Sequence, residues 1–185
     1  MQNNFIVART KWIELFHNID SHNYPVNYSD RALKIIFDPF FSDDTSACNE
    51  LKTHLNKMDN YLSSNKFKKM FFGDKMDRCE YQPYIKTSNK TFFVECCYAK
   101  FRKNDKNENT TNLVEVKNGK KNKKEIRSFH NLFYELKSVS KVRFFFEHGA
   151  IWFKKYLIGG EKKIIYGVDL TILSIEYEKD SSDEF

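Results

Sequence analysis

The sequence lacks any long apolar run. No window approaches the ~20 apolar residues that a helix needs to span a bilayer. The opening residues, MQNNFIVARTKW, also lack the long apolar core of a secretory signal. Both absences predict a soluble protein that stays inside the cell, in the cytoplasm or the nucleus, with no membrane partner.

Glycine, proline and cysteine are scarce as well. With 6 glycines and 3 prolines in 185 residues, the composition is that of neither a collagen nor a low-complexity chain. The 4 cysteines contain no C-x-x-C pair, and Cys96 and Cys97 are neighbours that would point to opposite faces of a strand. We therefore expect reduced thiols rather than a disulfide framework.

Common catalytic and cofactor motifs are absent too. The sequence has no P-loop, no G-x-G-x-x-G fingerprint and no G-x-S-x-G elbow. Its 5 histidines show neither H-x-x-x-H spacing nor a Cys/His pattern typical of zinc. These absences argue against nucleotide-fold enzymes, serine hydrolases and zinc proteins, so the leading interpretation includes no cofactor and no catalytic residue.

Aromatic and charged residues, by contrast, are abundant. The chain has 18 Phe, 10 Tyr and 2 Trp, and 41% of its residues are hydrophobic. A domain of this size removes roughly 70% of its unfolded surface from water, which is enough for a core. We predict one globular α+β domain over residues 1–178, followed by an acidic flexible tail over residues 179–185.

The N-terminal half is predicted to be mainly helical. Apolar residues three and four positions apart in RTKWIELFHNID indicate an amphipathic helix, whereas the type of the next element, RALKIIF, is ambiguous. The segment TFFVECCYAKF, residues 91–101, is rich in aromatic and β-branched residues and is typical of a strand. A further helix is predicted from an apolar stripe formed by Leu51, Leu55, Met58 and Leu62.

The C-terminal half is predicted to be an antiparallel β-meander with a covering helix. Helical periodicity in EIRSFHNLFYELKSV predicts the helix that covers the sheet. The strands that follow are predicted to turn at Gly149 and again at Gly159-Gly160, since such connections between apolar runs are typical of hairpins.

A hairpin is also predicted around Asn118-Gly119. This dipeptide readily adopts the positive φ angles of a type I′ turn. It lies between the alternating run NLVEV and a run of lysines. The alternation predicts an exposed turn, with Val114 and Val116 facing inward.

Basic residues are concentrated between residues 100 and 124. This segment has nine basic and three acidic residues, a balance of +6 that equals the formal net charge of the whole chain. Such a segment attracts polyanions, because neutralising phosphates releases condensed counterions. Lysine is a point charge rather than a bidentate reader of bases, so contacts to backbone phosphates are expected. The predicted nucleic-acid-binding residues are Lys100, Arg102, Lys103, Lys106, Lys117, Lys120, Lys121, Lys123 and Lys124.

Two other interpretations of this segment stay open. Runs of lysine and asparagine in a protein from an AT-rich genome are also typical of a solvated loop. A charged surface of this kind equally suits an acidic protein partner. A salt titration of binding to RNA and DNA separates these interpretations.

A pair of glutamates near the C-terminus suggests metal chemistry. Glu176 and Glu178, in LSIEYEKD, alternate along a predicted strand and so project from one face. Two carboxylates can jointly hold a divalent cation such as Mg²⁺ or Mn²⁺. The motif resembles the paired-glutamate strand of tunnel-fold, metal-dependent RNA triphosphatases, although their second glutamate strand has no match in FIVARTKWIELF. The resemblance implies a phosphohydrolase with these residues as metal ligands; alternatively, the pair only leads into the acidic tail and is dispensable for folding.

A third candidate combines Glu95 with Glu115 and Lys117. The E-x-K tripeptide, preceded by a strand that carries Glu95, is similar to the signature of restriction-endonuclease-like folds. That resemblance implies a nuclease in which the two acids bind metal while the lysine supports the attacking water. The alternative is that these residues form the wet side of a hairpin.

The leading interpretation is a small basic accessory protein, from a virus or another AT-rich genome, that binds RNA or DNA through backbone phosphates. The alternatives are a metal-dependent phosphohydrolase or nuclease and a protein–protein interaction module.

Overall fold

Strands account for most of the structure, which is a computed structural model of the chain. Of the described residues, 53% lie in strands and 29% in helices. The described residues are 7–9, 13–14, 32–37, 45–88, 94–136 and 139–179.

The elements have these bounds. The strands are β1 (Val7–Arg9), β2 (Ile13–Glu14), β3 (Ala32–Ile36), β4 (Cys79–Tyr81), β5 (Lys86–Ser88), β6 (Val94–Phe101), β7 (Asn112–Lys117), β8 (Lys120–Lys124), β9 (Val139–Ile158) and β10 (Glu161–Lys179). The helices are α1 (Thr45–Ser63), α2 (Asn65–Phe72) and α3 (Phe129–Leu136), and a 3₁₀ segment covers Gly73–Arg78.

Strand β10 is the centre of one mixed sheet. Antiparallel β9 pairs with it from Glu161 to Lys179. Along its other edge β4, β6 and β7 follow one another, all parallel to β10, at Ile164–Tyr166, Leu170–Ile172 and Ser174–Tyr177. One long strand thus brings together segments that are far apart in the sequence.

Helices α1 and α2 pack around Tyr166 of β10. The Tyr166 hydroxyl donates a hydrogen bond to the carbonyl oxygen of Leu62, at 2.5 Å, and its ring centroid lies 6.1 Å from that of Phe67. Burial is the main reason that the pKa of Tyr166 is raised to about 12. Leu55 of α1 is fully buried in the same apolar core.

Helix α3 packs on the sheet further along β10. Its Leu132 and Leu136 are buried in the core that also contains Leu113 of β7. The Tyr177 hydroxyl donates to Glu135 Oε1 of α3, at 2.6 Å. Helix α3 is therefore anchored beside the β7–β8 hairpin, and this contact helps to position the lysine-rich segment.

The prediction of a mainly helical N-terminal half is wrong. That half supplies β1 to β5 to the sheet, and within the predicted helix RTKWIELFHNID the described Ile13–Glu14 pairs with β9. The ambiguous segment RALKIIF contains strand β3, because its buried residues alternate with period two, as a strand requires: Leu33, Ile35 and Phe37.

The predicted antiparallel meander is also wrong, because three neighbours of β10 run parallel to it and no turn occurs at Gly149. Gly149 lies inside β9, where it and Ala150 stand opposite the single residue Asp169. This is a β-bulge, and a glycine inside a strand often marks one. The turn at Gly159-Gly160 is confirmed, since both residues have positive φ, 59° and 84°.

Several local predictions are confirmed. Helix α1 buries Leu51, Leu55 and Leu62 of the apolar stripe. Helix α3 exists within the segment predicted to be helical, and β6 lies within residues 91–101.

No helix in the described ranges is long and apolar enough to cross a membrane. The predicted acidic tail, apart from Lys179 at the end of β10, lies outside the described residues.

Candidate functional site

The lysine-rich hairpin is a regular two-stranded ribbon. Strands β7 and β8 are antiparallel up to Lys117 and Lys120, which face each other beside the turn. Asn118 and Gly119 have positive φ, 51° and 73°, as a type I′ turn requires. The predicted exposed turn is confirmed, and it presents two like charges across the ribbon.

The connection between β6 and β7, residues 102–111, is fixed by two buried polar side chains. Asn109 Nδ2 donates to the carbonyl oxygen of Ile126, at 2.6 Å. Thr111 Oγ1 donates to the carbonyl oxygen of Ile172, at 3.2 Å, and accepts from the amide of Arg102, at 2.9 Å. Three exposed basic side chains extend from this anchored backbone: Arg102, Lys103 and Lys106.

Lys121 of β8 contacts a buried carboxylate. Its ammonium forms an ion pair with Glu176, which also accepts from Arg143 Nη1 of β9, at 3.0 Å. Only 7% of the Glu176 side chain is exposed. Burial alone would raise the pKa of Glu176, but the two adjacent cations lower it below its usual value. The carboxylate therefore stays charged and links three strands.

Lys124, at the end of β8, belongs to a second network on the other face of the sheet. Its ammonium lies 2.5 Å from Glu135 and 3.3 Å from Glu115, and Lys179 lies 3.0 Å from Glu135. Burial raises the pKa of Glu135, but hydrogen bonds from Lys124, Tyr177 and Lys179 outweigh it and lower this pKa to about 2. This network fastens α3 to the hairpin.

The nine predicted nucleic-acid-binding residues thus divide into two groups. Lys100, Lys121 and Lys124 form ion pairs with carboxylates, Lys100 with Asp169 at 2.8 Å, although Lys100 and Lys121 are themselves exposed. The other six are likewise exposed, along the connection and the hairpin: Arg102, Lys103, Lys106, Lys117, Lys120 and Lys123. We call these six residues the cationic surface; on the hairpin, Lys117 and Lys120 lie on one face of the ribbon and Lys123 on the other.

The prediction that Val114 and Val116 face inward is wrong by one residue. Leu113 is fully buried opposite Ile175 of β10, whereas Val114 is the register partner of Glu176 and is only half-buried. Side chains alternate along a strand, so a shift of one residue exchanges its two faces.

The glutamate pair of β10 does not form an open metal site. Glu176 is held between Lys121 and Arg143, so a divalent cation would compete with both. Glu178 is the register partner of Lys141 on β9. Within the described parts of the chain, no cluster of three or more His, Cys, Asp or Glu side chains has a metal-binding arrangement.

The three residues of the nuclease-like candidate do not converge. Glu95 forms an ion pair with Lys52 of α1, whereas Glu115 is near Lys124 and Lys117 is exposed by the turn. Strand β6 first pairs with β10 at Leu170, whereas Glu115 is the register partner of Tyr177, seven positions further along β10. At 3.3 Å per residue this separation is about 23 Å. Glu95 lies further away again, before that pairing begins.

Arg143, Glu135 and Lys179 were missed by sequence reasoning. Their roles depend on which strands lie beside β10, and that information is not local in the sequence. The one available signal is a charged residue within an apolar strand segment, Arg143 in VRFFF, because buried charges are rare unless paired.

The sequence is similar to a distant viral relative. No protein-family profile matches the sequence. Over 97% of its length the chain is 22% identical to an uncharacterized protein of Acanthamoeba polyphaga mimivirus. The chain spans about half, 53%, of that relative's length. The similarity agrees with the viral source considered from the sequence.

Proposed function

We propose that the protein binds nucleic acid through backbone phosphates on its cationic surface. The observation that carries this proposal is that six basic side chains are exposed along a hairpin and a connection whose backbones are anchored by strand pairing and by buried hydrogen bonds. A backbone that is already ordered loses less conformational freedom when its side chains meet a polyanion than a flexible loop does.

Phosphates are the preferred target because of the kind of cation present. Five of the six residues are lysines, and lysine contacts phosphate as a point charge. Lys117 and Lys120 are register partners across the ribbon, so both lysines can approach the same phosphate beside the turn. The turn is therefore the expected centre of the contact.

The ion pairs formed by the carboxylates favour nucleic-acid binding over the metal-dependent activities. Glu176 and Glu135 are each neutralised by lysine or arginine neighbours, and these ion pairs support the hairpin. In this proposal the carboxylates have a structural role, and the exposed lysines have the functional one.

The test is a salt titration of binding to a fluorescently labelled 20-nucleotide RNA and to a duplex of equal length. The variant Lys120→Gln/Lys123→Gln removes two exposed charges from the hairpin. The variant Lys57→Gln/Lys66→Gln is the matched control, because it removes two exposed lysines from the helices. Each lost phosphate contact should reduce the slope of log affinity against log salt by ~0.7 for RNA and ~0.9 for the duplex.

We expect a shallower slope for the hairpin variant and the parental slope for the helix control. Equal slopes in both variants would show that overall charge, and not this surface, attracts the nucleic acid. Salt-dependent binding to an acidic protein without any binding to RNA or DNA would replace the proposal with a protein partner.

A further inference from the structure

The end of the β9–β10 hairpin forms a second exposed ribbon, residues 152–165, which we call the arm. Strands β9 and β10 have 20 and 19 residues, whereas a typical strand has about 5 or 6. In the arm, β9 pairs only with β10 among the described residues, and β10 gains β4 as a second neighbour only from Ile164 onward. The arm therefore ends in a two-stranded ribbon that other described strands do not flank.

Large apolar side chains are exposed on the arm. The exposed fractions are 56% for Phe153, 43% for Tyr156 and 73% for Leu157. Phe153 and Leu157 lie on one face of the ribbon and Tyr156 on the other, because successive residues of a strand alternate between faces. Large exposed apolar side chains on both faces of one ribbon are unusual on a free surface and typically mark contact sites.

Lysines alternate with these apolar residues on both faces. The register places Lys163 opposite Tyr156, and Lys162 opposite Leu157. Since alternate residues share a face, Trp152, Lys154 and Tyr156 lie on one side. The Lys154 ammonium is 5.9 Å from the Trp152 ring centroid. With four lysines and one glutamate, the arm carries a formal charge of +3.

We propose that the arm binds single-stranded nucleic acid by stacking unpaired bases on its aromatic rings while its lysines contact the phosphates. Aromatic rings beside cations are the combination that single strands require, since every base has a face that can stack. The inference rests on the proposed nucleic-acid binding, but it assigns a second, separate surface and names single-stranded nucleic acid as its ligand.

A charged arm is a poor interface for a second copy of the chain. An isologous contact between two arms would bring together two segments of charge +3. A duplex is also a poor partner for the rings, because its bases are already stacked and paired. Unpaired strands supply both the negative charge and the free base faces.

The test uses three probes in fluorescence anisotropy: a 20-nucleotide dT strand, an abasic strand of equal length, and a duplex. The variant Phe153→Ala/Tyr156→Ala removes one exposed ring from each face of the arm. Tyr134→Ala is the matched control, since Tyr134 is 75% exposed on α3. Phe153→Leu/Tyr156→Leu keeps apolar bulk but removes the aromatic faces, and circular dichroism checks the fold of each variant.

The inference predicts that both arm variants weaken binding of the dT strand at least about tenfold. Binding of the abasic strand and the duplex should stay within about twofold of the parent, and the Tyr134 control should match the parent for all probes. Any of three results would overturn the stacking role. They are an equal loss of affinity for the dT and abasic strands, parental affinity of both arm variants for dT, and parental affinity of the leucine variant alone for dT.

Failure of the arm and failure of the cationic surface are distinguishable. If only Lys120→Gln/Lys123→Gln weakens binding, the proposed role of the cationic surface is supported and that of the arm is wrong. If only the arm variants weaken it, the arm is the binding site and the proposed surface is not. If the parent binds none of the three probes, both proposals are wrong; loss of a dimer in the arm variants would reassign the arm to self-association.

Discussion

At the scale of single residues, charge pairing around β10 decides what the lysine-rich segment can do. The sequence predicts that Glu176 and Glu178 share a face. It does not predict that Lys121 and Arg143 meet Glu176, because that contact depends on the register of three strands. Local sequence patterns give the period of a strand but not its neighbours, which explains why the site was only partly predictable.

The first prediction concerns Glu176. The sequence suggested that its loss would leave folding nearly unchanged, but its burial leads to the opposite expectation. Glu176→Gln should lower the free energy of unfolding by about 3 kcal/mol, because a neutral amide in this buried position no longer balances the charges of Lys121 and Arg143. Urea denaturation measures the change, and Glu80→Gln, an exposed glutamate of β4, should stay within about 0.5 kcal/mol of the parent.

The second prediction concerns pH. His148 is buried, its Nδ1 is 2.9 Å from the Tyr84 hydroxyl, and its Nε2 is 3.0 Å from His54. Burial, followed by the charge of His54, lowers the pKa of His148 to about 4. The unfolded chain takes up this proton more readily, so the stabilisation is present above pH ~6.5 and is lost as pH falls toward ~4.

Between pH 7 and pH 5 this effect should cost up to about 2 kcal/mol in the free energy of unfolding. His148→Gln should remove that part of the pH dependence, while the exposed His130→Gln should retain it. Identical pH profiles for the parent and His148→Gln would show that the neutral buried histidine does not control stability.

At the scale of elements, length and context account for the errors in the predicted fold. Helix α1 was predictable because its apolar stripe extends over several turns. A short apolar run such as RALKIIF fits either period, and pairing with β6 makes it a strand. Gly149 suggested a turn, but it occupies a bulge inside β9, and local sequence does not separate these two uses of glycine.

The third prediction compares two glycines inside long strands. A Cβ at Gly167 would lie 2.5 Å from Trp152 Cζ2, whereas a Cβ at Gly149 would come no closer than 3.4 Å to the Asp169 carbonyl oxygen. Gly167→Ala should therefore destabilise the protein by about 1 to 3 kcal/mol, and Gly149→Ala by less. Thermal unfolding of the two variants checks the order, and the reverse order would contradict the close packing of Trp152 on β10.

At the scale of the whole molecule, two cationic ribbons lie at different positions along β10. The β4 pairing beside the arm begins at Ile164 and the β7 pairing at Ser174, ten positions apart. At 3.3 Å per residue this separation is about 33 Å. The sequence predicted the turns of both ribbons, but not their places along β10, because the net charge of +6 and local patterns say nothing about which strands become neighbours.

The fourth prediction follows from this separation. A spacing of about 3.4 Å per phosphate holds within a duplex, and a single strand with unstacked bases extends about twice as far per nucleotide, so contact with both ribbons needs at least about five nucleotides. A 20-nucleotide strand should therefore bind much more tightly than a 3-nucleotide strand, because the second contact becomes intramolecular. Equal affinity per molecule for both lengths, measured by anisotropy at one salt concentration, would show that only one ribbon is used.

The most direct measurement is the affinity of the unmodified protein for a 20-nucleotide RNA across a range of salt concentrations, with and without Mg²⁺. Contacts from the six side chains of the cationic surface predict a linear fall of log affinity with log salt, with a slope of about −4 from this surface alone. Magnesium should weaken binding by competition and leave the RNA intact. No binding at low salt, a slope near zero, or magnesium-dependent cleavage or phosphate release would contradict the proposed function.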